Sequence, residues 1–432
     1  MSKYRLFIFK DYNFNPSEKI LRLTYCFDNS LEFTETYKFD FDFAPDIDDQ
    51  LLQFAILSLF YMAGVSYYKA YLPGRIVTEK TPLDQKAADF FSKTYQKGLG
   101  EFFYVNQLDP QTKMNFPSVS QSEPKPTINP NPHQGLLVAI GGGKDSLVSA
   151  EVLRDQPKVA TWSVGHRSQL EPLIKKIGLP HFWVEREWDK TLLDHNAQGA
   201  LNGHIPISAI FACVGTVVAA LSGYKDIVVS NESSASESNL HYKGVDINHQ
   251  YSKSLEFEKD FQDYLNHNLG DNIRYYSFLR PFTEVRIAEL FAKLGFEKYK
   301  GVFSSCNRAF VHTSDSIFWC GHCPKCAFVF LALTPFVERE KLESLWGGKN
   351  LLLDPALELT YRQLLGIEGD KPLECIGEIK ESRVAMRLAQ EIYPELKKYQ
   401  FDLPADYDFR VLSPHSMPEE IAKILFSAGR LG

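Results

Sequence analysis

Two hydrophobic periodicities divide this chain. Apolar and polar residues alternate over residues 5–10, 21–27 and 31–37, the pattern of antiparallel strands with one buried face. Asn29-Ser30 supplies a turn. Helical spacing follows from the acidic start Asp46-Ile47-Asp48-Asp49 toward Ala63-Gly64. It returns over residues 83–99, where Ala87, Ala88, Phe90, Phe91 and Tyr95 share a face. These elements predict an N-terminal α+β domain over residues 1–115. The run at residues 66–71 is read as core.

Beyond residue 135 the pattern changes. Apolar runs at residues 136–140, 159–165, 182–184, 227–230 and 273–279 are separated by helical segments at 169–177, 205–224 and 283–294. Strands alternating with helices predict an α/β domain with a doubly wound parallel sheet over residues 136–335. Ligands of such sheets bind beyond the carboxyl ends of strands, here the loops after Ile140, Val164 and Val229. Between the two parts, Pro117, Pro124, Pro126, Pro130 and Pro132 stand among Ser, Asn, Gln and Lys, and residues 116–135 read as a linker. Residues 336–432 read as a helical C-terminal region, broken at Gly347-Gly348, Asp370-Lys371-Pro372 and Pro404.

Composition narrows the function classes. The 432 residues carry a formal charge of −7, which does not suggest a nucleic-acid partner. Residues 205–224 lack charge over the length of a membrane span, but Pro206, Ser208, Gly215 and Thr216 fit a buried helix better. No membrane span and no signal peptide are expected, so the location is expected to be cytoplasmic. Four of the 7 cysteines cluster, which suggests a reducing compartment and a metal site.

The strongest signal is Leu136–Ala139 followed by Ile140-Gly141-Gly142-Gly143-Lys144-Asp145-Ser146 and a helix. Strand, glycine turn and helix start aim backbone N–H groups and a helix dipole at an anion. Lys144 can add a point charge and Ser146 a hydroxyl. The spacing is neither that of a Walker A loop nor of a dinucleotide fingerprint. Two later stretches are candidate linings. Ser230, Asn231 and Glu232 follow a strand end and point toward the nucleotide loop, although a plain surface loop fits the same residues. Asn248, His249, Ser252 and Lys253 suit an anionic substrate, and equally a capped helix start before Leu255.

Cys306, Cys320, Cys323 and Cys326 form the second strong signal. Their spacing can close a tetrahedral thiolate site, for which structural Zn²⁺ is the first choice and an Fe–S cluster the alternative. Cys306 is the inferred fourth ligand, and His322 is its competitor. Cys375 reads as a structural thiol, with an acid/base role the less favoured alternative.

The glycine loop resembles the Ser-Gly-Gly-x-Asp-Ser loop of the PP-loop ATP pyrophosphatases, with Gly141 where that group usually has Ser. The resemblance implies a HUP-like sheet with a four-cysteine knuckle, and cleavage of ATP to AMP and diphosphate. It also implies phosphate contacts from Gly141, Gly142, Gly143, Lys144 and Ser146, with Mg²⁺ held at Asp145. A PP-loop with such a knuckle is similar to the 7-cyano-7-deazaguanine synthases, although those chains are shorter. Further motifs are Ser230-Asn231-Glu232, Asn248-His249-Gln250-Tyr251-Ser252-Lys253-Ser254, Leu279-Arg280-Pro281, Ser305-Cys306-Asn307 and Trp319–Cys326 with its intervening Gly321-His322 and Pro324-Lys325. With Gly98–Tyr104, they resemble the MurL-type UDP-N-acetylmuramoyl-L-alanyl-L-glutamate epimerases over nearly the whole chain. That family implies ATP-dependent inversion of a terminal L-Glu for peptidoglycan, on a nucleotide-sugar dipeptide. Candidate catalytic residues are then Lys144, Asp145, Glu232, His249 and Lys253. Candidate substrate contacts are Ser230, Asn231, Asn248, Ser252 and Arg280, the last pairing the free γ-carboxylate or, almost equally, buried as a structural Arg before Pro281. A PP-loop ligase or tRNA-modifying enzyme is the alternative reading.

Overall fold

Among the described residues, nine strands join in one sheet. The computed structural model describes residues 3–80, 82–119, 133–310 and 316–429, so most of the expected linker, residues 120–132, lies outside the described residues. The strands are β1 (Leu6–Asn15), β2 (Ile20–Phe27), β3 (Leu31–Asp40), β4 (Arg75–Thr78), β5 (Leu136–Ala139), β6 (Val159–Val164), β7 (His181–Glu187), β8 (Asp226–Val229), a small separate hairpin β9 (Leu240–Tyr242) and β10 (Val245–Ile247), and β11 (Arg274–Ser277). The large sheet runs β11-β8-β5-β6-β7-β3-β2-β1-β4. Its β11–β7 half is wholly parallel, as the βαβ pattern predicts.

The N-terminal strands do not close a sheet of their own, as the α+β reading expected. β3 pairs antiparallel with β7, from Thr36 opposite Glu187 to Asp40 opposite Trp183. The edge of β7 would otherwise leave its N–H and C=O groups unpaired. The buried carboxylate of Glu35 accepts from Arg186 at 2.8 Å across this seam. The result is a mixed α/β fold with one mostly parallel sheet running through both parts.

Two cores flank the sheet. Leu137 packs into one and Val138 into the other, which is why β5 reads as an unbroken apolar run. The uncharged segment forms the helix Ile207–Ser222, buried along most of its length. Among the described residues, one helical stretch, Asp49–Tyr68, is long and apolar enough to cross a membrane, and 83% of its apolar window is buried inside the protein. The C-terminal region is helical, with Arg339–Ser344, Glu358–Leu364, Ile379–Ile392 and Glu419–Gly429. Helix Ile379–Ile392 packs on helix Pro324–Leu333, which starts inside the cysteine cluster.

Candidate active site

The sheet order reverses at β5, whose neighbours are β6 on one side and β8 on the other. Beyond the carboxyl ends of these strands lies a cavity of about 430 Å³. The glycine loop forms one wall. Gly142 has φ +92°, and a Cβ there would meet the Phe310 ring at 2.6 Å. A Cβ on Gly143 would meet Ser305 Oγ at 2.6 Å. Gly142 therefore requires glycine, whereas at Gly143 a side chain would have to push the Ser305 hydroxyl aside. Gly143 caps helix Lys144–Leu153 without a side-chain acceptor, so the first N–H groups of that helix are not capped by a side chain.

Gly141, Gly143, Asp145, Ser146, Ser230, Asn231, Glu232 and Lys253 all line this cavity. Ser146 Oγ donates back to the Gly143 carbonyl (3.1 Å), and Ser149 shares a hydrogen bond with Ser230 (2.7 Å). Lys144 is placed differently from the expected phosphate contact. Its ammonium is buried and ion-paired with Asp145 and Glu284, because an unpaired buried charge is costly. Glu284 also faces Lys325 at 3.5 Å. Burial opposes its charge, but Lys144 and Lys325 hold Glu284 down at about 2. Glu232 goes the other way: burial, then the Glu284 charge, lift it to about 7.

Arg280 does not line the cavity. Its fork donates to Glu258 (3.1 and 3.0 Å), to the Glu232 carbonyl (2.5 Å) and to the Lys253 carbonyl. The expected substrate contact is thus replaced by a clamp that fixes the two loops bearing Glu232 and Lys253. Asn248 is also structural in its contacts, donating to the Ala235 carbonyl (2.9 Å) and accepting from the Gln250 N–H (2.7 Å). Ser252 is buried in the turn Tyr251–Lys253, away from the cavity lining.

A second constellation meets the cavity at Cys375. Lys253 Nζ lies 3.1 Å from Cys375 Sγ. His249 Nε2 lies 3.7 Å from the same sulfur, and His249 Nδ1 is 2.7 Å from Glu101 Oε2. His204 approaches that carboxylate at 3.5 Å. Burial opposes charge on His249, but Cys375 and Glu101 at its two nitrogens raise it to about 9. Burial alone would push the Cys375 thiol up; Lys253 and His249 bring it down to about 6. Burial keeps His204 neutral, at about 4. Sequence reasoning found His249 and Lys253 but missed Glu101, His204, Glu284 and Lys325, and ranked Cys375 low. Nothing in local spacing joins residues so far apart in the chain.

The four-cysteine cluster stands behind this site. Cys306 and Cys323 sulfurs are 3.9 Å apart, Cys320 and Cys326 sulfurs 3.7 Å, and all four fall within 4.8 Å of one another. A tetrahedron of thiolates about 2.3 Å from Zn²⁺ has edges of about 3.8 Å, so the donor set fits that ion. The N–H groups of His322 and Cys326 point at Cys320 and Cys323 sulfurs (3.4 Å each), as thiolate ligands require. Cys306 occupies the fourth corner, and His322 is exposed. The cluster also positions Cys375: the helix leaving it carries Lys325, whose ammonium holds the Cys375 carbonyl and whose N–H donates to Glu374 at 3.1 Å.

A glycine loop at a sheet reversal, with a cysteine–imidazole–carboxylate chain opening on the same cavity, defines an α/β protein equipped for anion binding and proton transfer. Comparison with known proteins agrees on the group. Residues 1–278 match the MurL N-terminal domain, and residues 302–399 the MurL C-terminal domain. A protein of Salinispora tropica is 40% identical over 392 residues, covering 89% of this chain and 85% of its own. One of Xanthomonas oryzae pv. oryzae is 39% identical over 381 residues (85% and 82%), and one of Micromonospora sp. 40% over 367 residues (84% and 81%). All three are named UDP-N-acetyl-alpha-D-muramoyl-L-alanyl-L-glutamate epimerase. The chain belongs to the MurL family.

Proposed function

We propose that this protein is a cytoplasmic epimerase that inverts the terminal L-Glu of UDP-N-acetylmuramoyl-L-Ala-L-Glu for peptidoglycan synthesis, with ATP consumed to AMP and diphosphate. The observation that carries the reading is the meeting of the glycine loop and the Cys375 constellation on one cavity, in a chain about 40% identical to epimerases of that name.

Chemistry explains why both are needed. The α-hydrogen beside a free carboxylate is hard to remove, because the carbanion would add charge next to existing charge. Converting the carboxylate to an acyl-adenylate removes its charge and makes its carbonyl an electron sink. The backbone N–H groups from Gly141 to Ser146 bind the phosphates. Mg²⁺, when bound at Asp145, would neutralise phosphate charge. Lys144 supports the loop from below through Asp145 and Glu284 rather than touching ATP. A base then takes the α-proton and an acid returns one to the other face; Glu232, His249 and Lys253 stand at or beside the cavity for this work. Zn²⁺ at Cys306, Cys320, Cys323 and Cys326 would be structural, fixing the helix that holds the Cys375 loop.

The test is incubation of UDP-N-acetylmuramoyl-L-Ala-L-Glu with the protein, ATP and Mg²⁺ in D₂O. Deuterium at Cα and D-Glu, both dependent on ATP, together with AMP, are expected. AMP with the Cα hydrogen retained and a new amide or nitrile would replace the epimerase with the PP-loop ligase alternative. ADP and inorganic phosphate would remove the adenylate.

A further inference from the structure

The epimerase reading leaves open which group meets the α-hydrogen. Resting on that reading, we infer that the Cys375 thiolate is the catalytic base on one face of the activated glutamyl residue, with His249, Glu101 and Lys253 as its positioning residues.

The argument starts from what surrounds this sulfur. Cys213 is buried among apolar side chains, and burial there pushes its thiol up. That is the ordinary state of a core cysteine. Cys375 instead lies 3.1 Å from one ammonium and 3.7 Å from an imidazole, and lines the cavity that the glycine loop enters. The imidazole is itself oriented by Glu101 at 2.7 Å. Sulfur, imidazole and carboxylate in series is the arrangement that activates a thiol elsewhere.

The assembly is also built at some cost. Its members come from three distant parts of the chain: helix Gly100–Val105, the loop after β10 with the turn Tyr251–Lys253 that follows it, and the loop before helix Ile379–Ile392. Three of the four residues are separately held. The Lys253 carbonyl accepts from Arg280, the His249 N–H donates to Asn239 (2.9 Å), and the Cys375 carbonyl accepts from Lys325. A purely structural thiol would need none of these.

The step balances. The Cα–H bond breaks, its proton forms S–H on Cys375, and its electron pair moves into the acyl-adenylate carbonyl to give an enolate. A second acid delivers a proton to the other face, and the electron pair returns to form the new C–H bond. The Glu232 carboxyl, lining the same cavity, has the right chemistry for that donor. The Cys375 proton then passes to solvent, Glu232 takes one up from solvent, and water hydrolyses the acyl-adenylate to the D-glutamyl carboxylate and AMP. Nothing is oxidised or reduced.

The experiment uses the full chain with ATP, Mg²⁺ and UDP-N-acetylmuramoyl-L-Ala-L-Glu in D₂O. In Cys375→Ala and Cys375→Ser, substrate-dependent diphosphate release is expected to persist, while Cα deuteration and D-Glu fall about 100-fold or more. Lys253→Met and Glu101→Gln should lower kcat for epimerisation without changing KM for ATP. A measurement needing no variant covers the case of misfolding. Iodoacetamide should alkylate the Cys375 peptide of the native protein, and the modified chain should keep diphosphate release and lose deuteration. Wild-type deuteration in Cys375→Ala or after alkylation overturns the assignment. So does loss of diphosphate release in step with deuteration in folded Cys375→Ser, or a hydroxylamine-labile glutamyl adduct on Cys375. If the unaltered chain forms neither AMP nor deuterated product, the adenylate reading itself falls, and this assignment with it.

Discussion

Lys144 and Glu284 form an ion pair in which each side chain is only 1% exposed, and it lies directly beneath the glycine loop. Lys325 shares the same carboxylate from the cysteine cluster side. One carboxylate therefore joins the loop to the knuckle helix. Glu284→Ala would leave two buried ammonium groups short of their shared partner, at a cost of about 3–5 kcal/mol. Urea unfolding should show this as a lower midpoint. Lys144→Met combined with Glu284→Met should cost less than the sum of the single changes, because the two charges are removed together and neither is left facing the other's vacancy.

Much of this was legible in the sequence and some was not, for physical reasons. The β5 run, the glycine turn and the helix after it are local, so their pattern carried through to the structure. Cys306 joined the cluster because thiol spacing and chemistry restrict the options. The β3–β7 pairing was hidden because strand alternation reports a buried face and says nothing about the edge partner. Arg280 could not be assigned from sequence because a guanidinium suits a substrate carboxylate and Glu258 equally well. Glu101 and Cys375 lie far apart in sequence, and only His249 between them makes their relation visible.

Purified protein should contain about one zinc per chain by elemental analysis. Cys306→Ala should lower that content and destabilise the fold, since metal binding and folding are coupled. His322→Ala should change neither, because His322 is exposed outside the cluster. Brown protein with visible charge-transfer absorption would assign an Fe–S cluster instead.

Epimerisation should have a bell-shaped pH profile. The Cys375 thiol, lowered to about 6, must be deprotonated, so the rate falls as pH drops through that value. The Glu232 carboxyl, lifted to about 7, must be protonated to return the proton, so the rate falls again as pH rises through that value, and falls further where His249, raised to about 9, loses the proton that supports the thiolate. Lys253, Lys325 and Glu374 also face this thiol; the two lysines favour the thiolate and Glu374 opposes it. Glu101→Gln removes support for the imidazolium and should steepen that alkaline limb by bringing the second fall to lower pH. An acid limb unchanged by Lys253→Met would contradict this account, which requires it to move upward.

Gly143→Ala should raise KM for ATP more than it lowers stability. The added Cβ meets a single hydroxyl, Ser305 Oγ, which can turn away, but the wall facing the phosphates then shifts. Gly142→Ala should do more harm. Its φ of +92° disfavours any side chain, by about 1–2 kcal/mol, and the Phe310 ring cannot yield as easily. Thermal unfolding and ATP titration on both variants separate the two effects.

Arg280 distinguishes the contact expected from sequence from the one in the fold. A guanidinium gripping the substrate γ-carboxylate would make Arg280→Lys a KM variant, with weaker dipeptide binding and normal stability. Here Arg280 is 1% exposed and its fork joins Glu258 to the backbone of Glu232 and Lys253. Lysine keeps the charge but not the planar fork, so it can satisfy one of these partners at a time. Glu258 then keeps a weaker partner, and the two loops lose their common anchor. Arg280→Lys should therefore lower kcat, because Glu232 and Lys253 lose their placement, with KM for the dipeptide within about twofold and a Tm lower by several degrees. Arg280→Ala should be worse, at about 3–5 kcal/mol, since the buried Glu258 carboxylate loses its cation and keeps, among the described residues, the Ser416 hydroxyl at 2.7 Å. A large rise in KM at unchanged Tm would return Arg280 to the substrate.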